Sequence, residues 1–552
     1  MDDTNLYKAL SRLSLKSLDA VQNGQGLTDF DNYMHVTRPI EEVLQQKMHM
    51  IDATGGGIVL LIGSAGDGKS HLLSLVKHEF DWPDQCYYND ATASCSPKMT
   101  AIDTLKIALD EFSDANIHHT SAKKVVAINL GKLNAFIDDE ENKTKYGEIV
   151  SVVEPLFQDS QVTETEHVKI VLFTEEQIFE FHPDVTVDYP VTSNFLSEIL
   201  EKIVISDKTN PFYRAYLDDL ENGVGKHSPL ILNYELLMSK SVRHTVVMSV
   251  IEAIVRFNLK ITPREYLDFI YSILCWTGSY DEKDNFFEAL LPTMFYHGAS
   301  TNKILVALSK LDPLKYGSTI HDEKLAILFT SYKITDELSN MMVTSNVPQY
   351  IIDRTNKFYD NNGIDTERTV KFLFRLQHML YYHSESAEYK MYLKVLSGVF
   401  LNDANSMSAL YDIVTSAMPR HYGSYYREEG LVPLNLQGSN YHFFCCLELD
   451  PCDIQSSFRE VTPNHFSLFI MLRWLINDKK VELKVDYKLY RYLLDLNDGK
   501  LAINYENERN VIFSKFLRQL SQLCDCSRRL VIVGPDSLKI SFKEQFGKLS
   551  LQ

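Results

Sequence analysis

A chain of 552 residues exceeds what one compact core usually holds, since domains run to roughly 100–200 residues, so about three are expected. An apolar fraction of 45%, with 30 Tyr and 29 Phe, excludes a disordered chain, and a net charge of −19 excludes a protein that coats nucleic acid by bulk electrostatics. The longest apolar run, IVLLI, falls far short of the roughly 18 residues of a membrane span, and MDDTNLYKALSRLSLKSL has no apolar stretch behind a basic start.

The expectation is therefore a soluble, cytoplasmic protein with no membrane contact. The eight cysteines are too few for a disulfide framework, and Cys445/Cys446 and Cys524/Cys526 lack the two C-x-x-C halves of a common zinc site, so they read as reduced structural thiols.

In chain order, residues 1–50 read as a helical lead-in, 51–215 as an α/β domain, 216–418 as a helical domain and 419–552 as a small α+β domain. Strands are predicted at Gly57–Ile62, Cys86–Asn89, Val125–Leu130 and Val168–Phe173. Between the second and third, Ser96 can cap a helix starting at Pro97, with Ile102, Leu105, Leu109 and Phe112 on one side. From about Asn194 to Met418 the periodicity is helical almost throughout, and Thr262-Pro263-Arg264-Glu265 is a capping box with proline at the first helical position. From Pro419 strand-like runs (YHFFCCLEL, FSLFIMLRWL, VELKV, RRLVIVG, LKISF) alternate with helical ones such as RNVIFSKFLRQLSQL.

Gly63-Ser64-Ala65-Gly66-Asp67-Gly68-Lys69-Ser70 fits G-x-x-x-x-G-K-[ST] at every fixed position. Chance supplies such a match in a chain this long about once in fifty. The context is the required one, an apolar strand before it and a helix after it with Leu72, Leu73, Val76 and Phe80 at helical spacing. Glycines let successive amides curl around a phosphate, and the helix start adds partial positive charge. In this reading Lys69 bridges the β- and γ-phosphates of ATP, and the Ser70 hydroxyl ligates Mg2+. The fold class expected is an α/β P-loop NTPase domain, a parallel sheet flanked by helices, followed by a largely α-helical domain and a small α+β C-terminal domain.

Hydrolysis usually needs an acid at the end of a neighbouring strand. The third strand ends in Asn129 and Leu130 instead, and an amide orients water without taking its proton. Asp90 is the first choice for the magnesium shell, with Glu175 and Glu176 next, and Arg264 is a sensor-type arginine for the γ-phosphate or a surface residue.

Several segments in order resemble the DptF family, the ATPase-like component of the bacterial DNA phosphorothioation-dependent restriction system. They are AVQNG, YMHVTRPIEEVL, GSAGDGKSHLLS, YYNDATAS, VVAINLGKLNAF, NPFYRAY, NYELL and ITPREYLDFIYSIL, spanning Ala20 to about Leu274, roughly half of the chain. The resemblance implies a defence role alongside DptG-like and DptH-like partners, restricting DNA that lacks the phosphorothioate mark. It carries over the loop from Gly63 to Ser70 with His71 after it, and offers His35 and Arg38 for the nucleotide's base edge. The chain has no nuclease motif of its own, so cutting would belong to a partner.

Two other classes compete. A small-molecule kinase uses the same loop, yet some 350 residues follow the sheet without a second phosphate-gripping arginine cluster. A scaffold or signalling NTPase with weak hydrolysis is favoured by Asn129. From Arg509 onward, eight basic residues stand against three acidic ones, reading as a solvated face or a local DNA contact made within the assembled complex.

Overall fold

The computed structural model describes residues 4–15, 28–89, 101–157, 162–173, 177–225, 227–283, 285–298, 301–317, 319–330, 334–360, 366–428, 430–434, 441–447, 469–476, 479–500, 508–535, 538–545 and 548–551. The chain forms two compact units. The first comprises Met1–Phe179, Ser193–Ala253 and Leu259–His383; the second comprises Glu180–Thr192, Ile254–Asn258 and Ser384–Gln552.

The first unit begins with helices α1 (Asn5–Ser11), α2 (Asp29–Met34) and α3 (Pro39–Thr54). Strand β1 (Gly57–Gly63) leads to α4 (Lys69–Glu79), β2 (Tyr87–Asn89), α5 (Ala101–Leu109) and β3 (Lys123–Asn129). Next come α6 (Leu130–Ile137), α7 (Glu140–Lys145), α8 (Gly147–Val153), β4 (Val168–Leu172) and α9 (Asn194–Val204). The four strands form one parallel sheet in the order β2-β3-β1-β4.

Strand side chains alternate between faces, and here both faces are covered. Ile58, Leu60, Ile62, Val126, Ile128 and Ile170 pack on one side with Leu105 and Leu109 of α5, Phe136 of α6 and Ile149 of α8. Val59, Leu61, Val125, Ala127 and Val171 pack on the other with Leu44 and Met48 of α3 and Leu72 and Val76 of α4. Double coverage explains why β1 is apolar at every position rather than at every second one.

The expected crossover helix is present as Ala101–Leu109, and its proposed cap at Ser96 lies outside the described residues. Among the described residues, the other regular elements of this unit are helices. The capping box at Thr262 is formed, with the Thr262 hydroxyl accepting from the Glu265 amide and the Glu265 carboxylate accepting from the Thr262 amide. Buried Asn233 ties three segments together, donating to the carbonyls of Leu274 (3.1 Å) and Ala289 (3.0 Å) and accepting from the Leu291 amide (2.7 Å).

Among the described residues, the second unit contains three antiparallel sheets. One is the pair β5 (Glu180–Phe181) and β6 (Val191–Thr192). Five strands, β7 (Leu431–Leu434), β8 (His442–Cys446), β11 (Asp525–Val533), β12 (Lys539–Gln545) and β13 (Lys548–Leu551), pair in the order β13-β12-β11-β8-β7. The hairpin β9 (Phe469–Ile476) and β10 (Lys479–Asp486) completes the set. Among the described residues no helix is long and apolar enough to cross a membrane.

Candidate functional site

In a parallel sheet the carboxyl ends of the strands share one edge, where such folds collect ligands. Gly63 at the end of β1 is level with Asn129 at the end of β3, and β2 ends at Asn89, opposite Ala127. The Ser64–Gly68 loop leaves β1 at that edge.

Two of its positions need glycine. The φ angle is +87° at Gly66 and +95° at Gly68, a region costly to any residue with a Cβ. Space is short there as well. A Cβ at Gly66 would stand 3.1 Å from Thr262 Oγ1, and one at Gly68 would stand 3.2 Å from an Arg38 guanidinium nitrogen. Gly68 is also the N-cap of α4 and brings no capping side chain, and the first turn of α4 carries no acid. A helix start offers several amide donors without intrahelical partners, together with partial positive charge, so an end left without a side-chain cap suits an anion.

The polar side chains of the loop turn back on it. Lys69 Nζ donates to the Ser64 carbonyl at 2.6 Å, and the Asp67 carboxylate accepts from the Ser64 amide. Burial raises the Asp67 pKa above the ordinary carboxylate value, while the Ser64 amide, Lys69 and Arg38 oppose the rise. The Ser70 hydroxyl donates to Asn89 Oδ1 at 3.3 Å. Asn129 accepts from the Gly131 amide at 2.9 Å and so caps α6.

His71 follows in the first turn of α4, and burial pulls its pKa down to about 4. Its Nε2 lies 3.0 Å from His35 Nδ1, and His35 Nε2 lies 3.4 Å from Glu41 Oε2. Burial also lowers the His35 pKa, so both rings are neutral at pH 7. The proton arrangement that serves both contacts has His71 Nε2–H donating to His35 and His35 Nε2–H facing Glu41.

Sequence-predicted residues 63–71 and Asn129 thus meet at one edge of the sheet. Arg264 is brought there too: its Cβ lies 3.6 Å from the Cβ position of Gly66. Asp90, Glu175 and Glu176 lie outside the described residues. Sequence reasoning passed over Asn89, which touches the Ser70 hydroxyl, and Thr262, which meets the loop at Gly66. Asn89 stands beside the favoured Asp90 at a strand end, so the signal was there. Arg38 points its guanidinium at the Asp67 carbonyl, 2.7 Å away. Comparison with models of known families, with curated sequences and with solved structures gives no match.

Proposed function

We propose that this chain is a P-loop ATPase that binds ATP with magnesium. The observation that carries the reading is the succession of a buried strand, a loop with left-handed glycines, and a helix start without a side-chain cap that presents Lys69 and Ser70. These residues fit a triphosphate: the loop amides and Lys69 would hold the β- and γ-phosphates, and the Ser70 hydroxyl would hold the metal. Bound magnesium would supply positive charge to offset that of the phosphate oxygens. Asn129 would orient water at the γ-phosphate, and Asp90 is the acid proposed for the metal's shell.

The test is nucleotide binding by the purified protein with magnesium. Lys69→Ala is expected to remove binding or turnover, because a charge-assisted contact to phosphate is worth about 1.5–3 kcal/mol, some tenfold to a hundredfold in affinity. Equal affinity in wild type and variant would sink the assignment.

The resemblance to DptF supports a place in a cytoplasmic restriction assembly with DptG-like and DptH-like partners, acting on DNA that lacks phosphorothioate. Co-expression with such partners should yield a complex whose restriction of unmodified DNA is lost with Lys69→Ala. A scaffold NTPase that hydrolyses poorly is the second reading, favoured by the amide of Asn129 at the strand end.

A further inference from the structure

The segment between α2 and α3 is built onto the phosphate loop from outside. Arg38 is the N-cap of α3, with extended backbone (φ −121°, ψ 148°), as a residue before proline prefers. Its amide donates to Glu41 Oε1 at 2.9 Å, so its own helix start fixes its main chain. The side chain then runs to the loop. One nitrogen donates to the Asp67 carbonyl at 2.7 Å, and the guanidinium carbon lies 5.1 Å from the ring centre of Phe173 and 5.5 Å from that of Phe195. Phe173 directly follows β4, and Phe195 is in the first turn of α9. Three residues earlier, His35 holds His71 on α4 and lies near Glu41, whose other carboxylate oxygen takes the Arg38 amide.

A trans peptide is planar, with its C=O and N–H pointing opposite ways. Fixing the Asp67 carbonyl toward Arg38 therefore turns the Gly68 amide away from Arg38. We infer that Arg38 is a positioning residue for the phosphate loop: it holds the Asp67–Gly68 peptide so that the Gly68 amide faces the anion site before nucleotide arrives. This rests on the phosphate-loop reading above. The aromatic rings hold the guanidinium in place, so the loop is organised in advance and binding costs less ordering.

The experiment titrates full-length wild type, Arg38→Ala, Arg38→Lys and Lys69→Ala with magnesium pyrophosphate, ADP and ATP, below the melting temperature of each protein. A residue that acts through the loop affects every ligand with a β-phosphate alike. Arg38→Ala is expected to weaken all three ligands by one common factor of about ten, leaving their ratios unchanged. Arg38→Lys keeps a donor for the Asp67 carbonyl and recovers part of the loss, which also carries the test if the alanine variant does not fold. A larger loss for ATP than for ADP would mean direct contact with the γ-phosphate, and unchanged pyrophosphate affinity with weakened ATP would mean contact with the base. Either result overturns the inference. So does unchanged affinity in Arg38→Ala while Lys69→Ala abolishes binding, which leaves the phosphate-loop reading standing. Failure of the wild type to bind any of the three overturns both.

Discussion

For the ATPase proposed above, an amide in place of a carboxylate at the end of β3 sets the expected rate. Asn129 can hold water but cannot accept its proton, and its Oδ1 already caps α6 through the Gly131 amide. If the chain is the ATPase proposed above, slow intrinsic hydrolysis is expected, rising when DNA or a partner completes the site, as residues supplied in trans do for P-loop enzymes. Phosphate release measured alone, with duplex DNA and with co-purified partners checks this. A high basal rate indifferent to all additions would count against it. Survival of turnover in Asp90→Asn would pass the acid's role to Glu175 or Glu176. At this scale the loop was legible because its spacing is local. The contacts of Arg38 with Asp67 and of Ser70 with Asn89, 29 and 19 positions apart, are made only by folding and leave no periodic trace in the chain.

Elements were legible where side-chain period and backbone agreed. In β10 the buried Val481, Leu483 and Val485 alternate with exposed Glu482 and Lys484, the period of a half-buried strand, and VELKV was read so. The helix Tyr487–Asn497 that follows was not read, although Tyr487, Tyr490, Leu493 and Leu496 keep helical spacing and are buried. Its tyrosines favour strands by propensity, and tertiary packing overrides that preference. Its Tyr492 also carries a pH-sensitive link. His421, at the end of the helix Ala404–His421, lies 2.7 Å from the Tyr492 hydroxyl and 2.9 Å from Ser514 Oγ on the helix Glu508–Leu523. Burial lowers the His421 pKa to about 4. In the unfolded chain it titrates near 6.5, so between pH 6.5 and 4 the unfolded state takes up a proton that the folded state refuses. Stability should fall as pH drops through that window, by on the order of 2–3 kcal/mol for this group. His421→Gln keeps polar contacts without the titration, and should narrow the gap between urea midpoints at pH 7 and pH 4.5. An unchanged gap would show that His421 does not carry the acid sensitivity.

At the scale of the molecule, the question is how a chain of net charge −19 could touch DNA. The local basic excess after Arg509 is five, eight basic minus three acidic residues, and the structure divides those bases unequally. Arg529 and Lys539 both pair with Glu428, at 2.5 and 3.3 Å, within the second unit. A hydrogen bond from Tyr426, with those two cations, holds the Glu428 carboxyl down at about 2. Changing Arg529 would therefore disturb a carboxylate cluster as well as remove a charge. Lys515, Arg518, Arg528 and Lys543 are exposed. At physiological ionic strength the Debye length is about 8 Å, so a phosphate against Arg518 or Arg528 would feel those charges and little of the distant acidic surface. Each phosphate neutralised adds about −0.9 to the slope of log affinity against log salt, so three contacts give a slope near −3. The isolated protein is expected to bind duplex DNA feebly and without sequence preference, and a complex with the partners proposed above to bind it well. The variant to test is Arg518→Gln with Arg528→Gln, which keeps Arg529 and Lys539, the two cations paired with Glu428. In the assembled complex it should make the salt slope shallower by about 2 if each arginine meets one phosphate. Unchanged affinity and slope would make this face a solvated or protein-docking surface, and would assign DNA recognition to the partners.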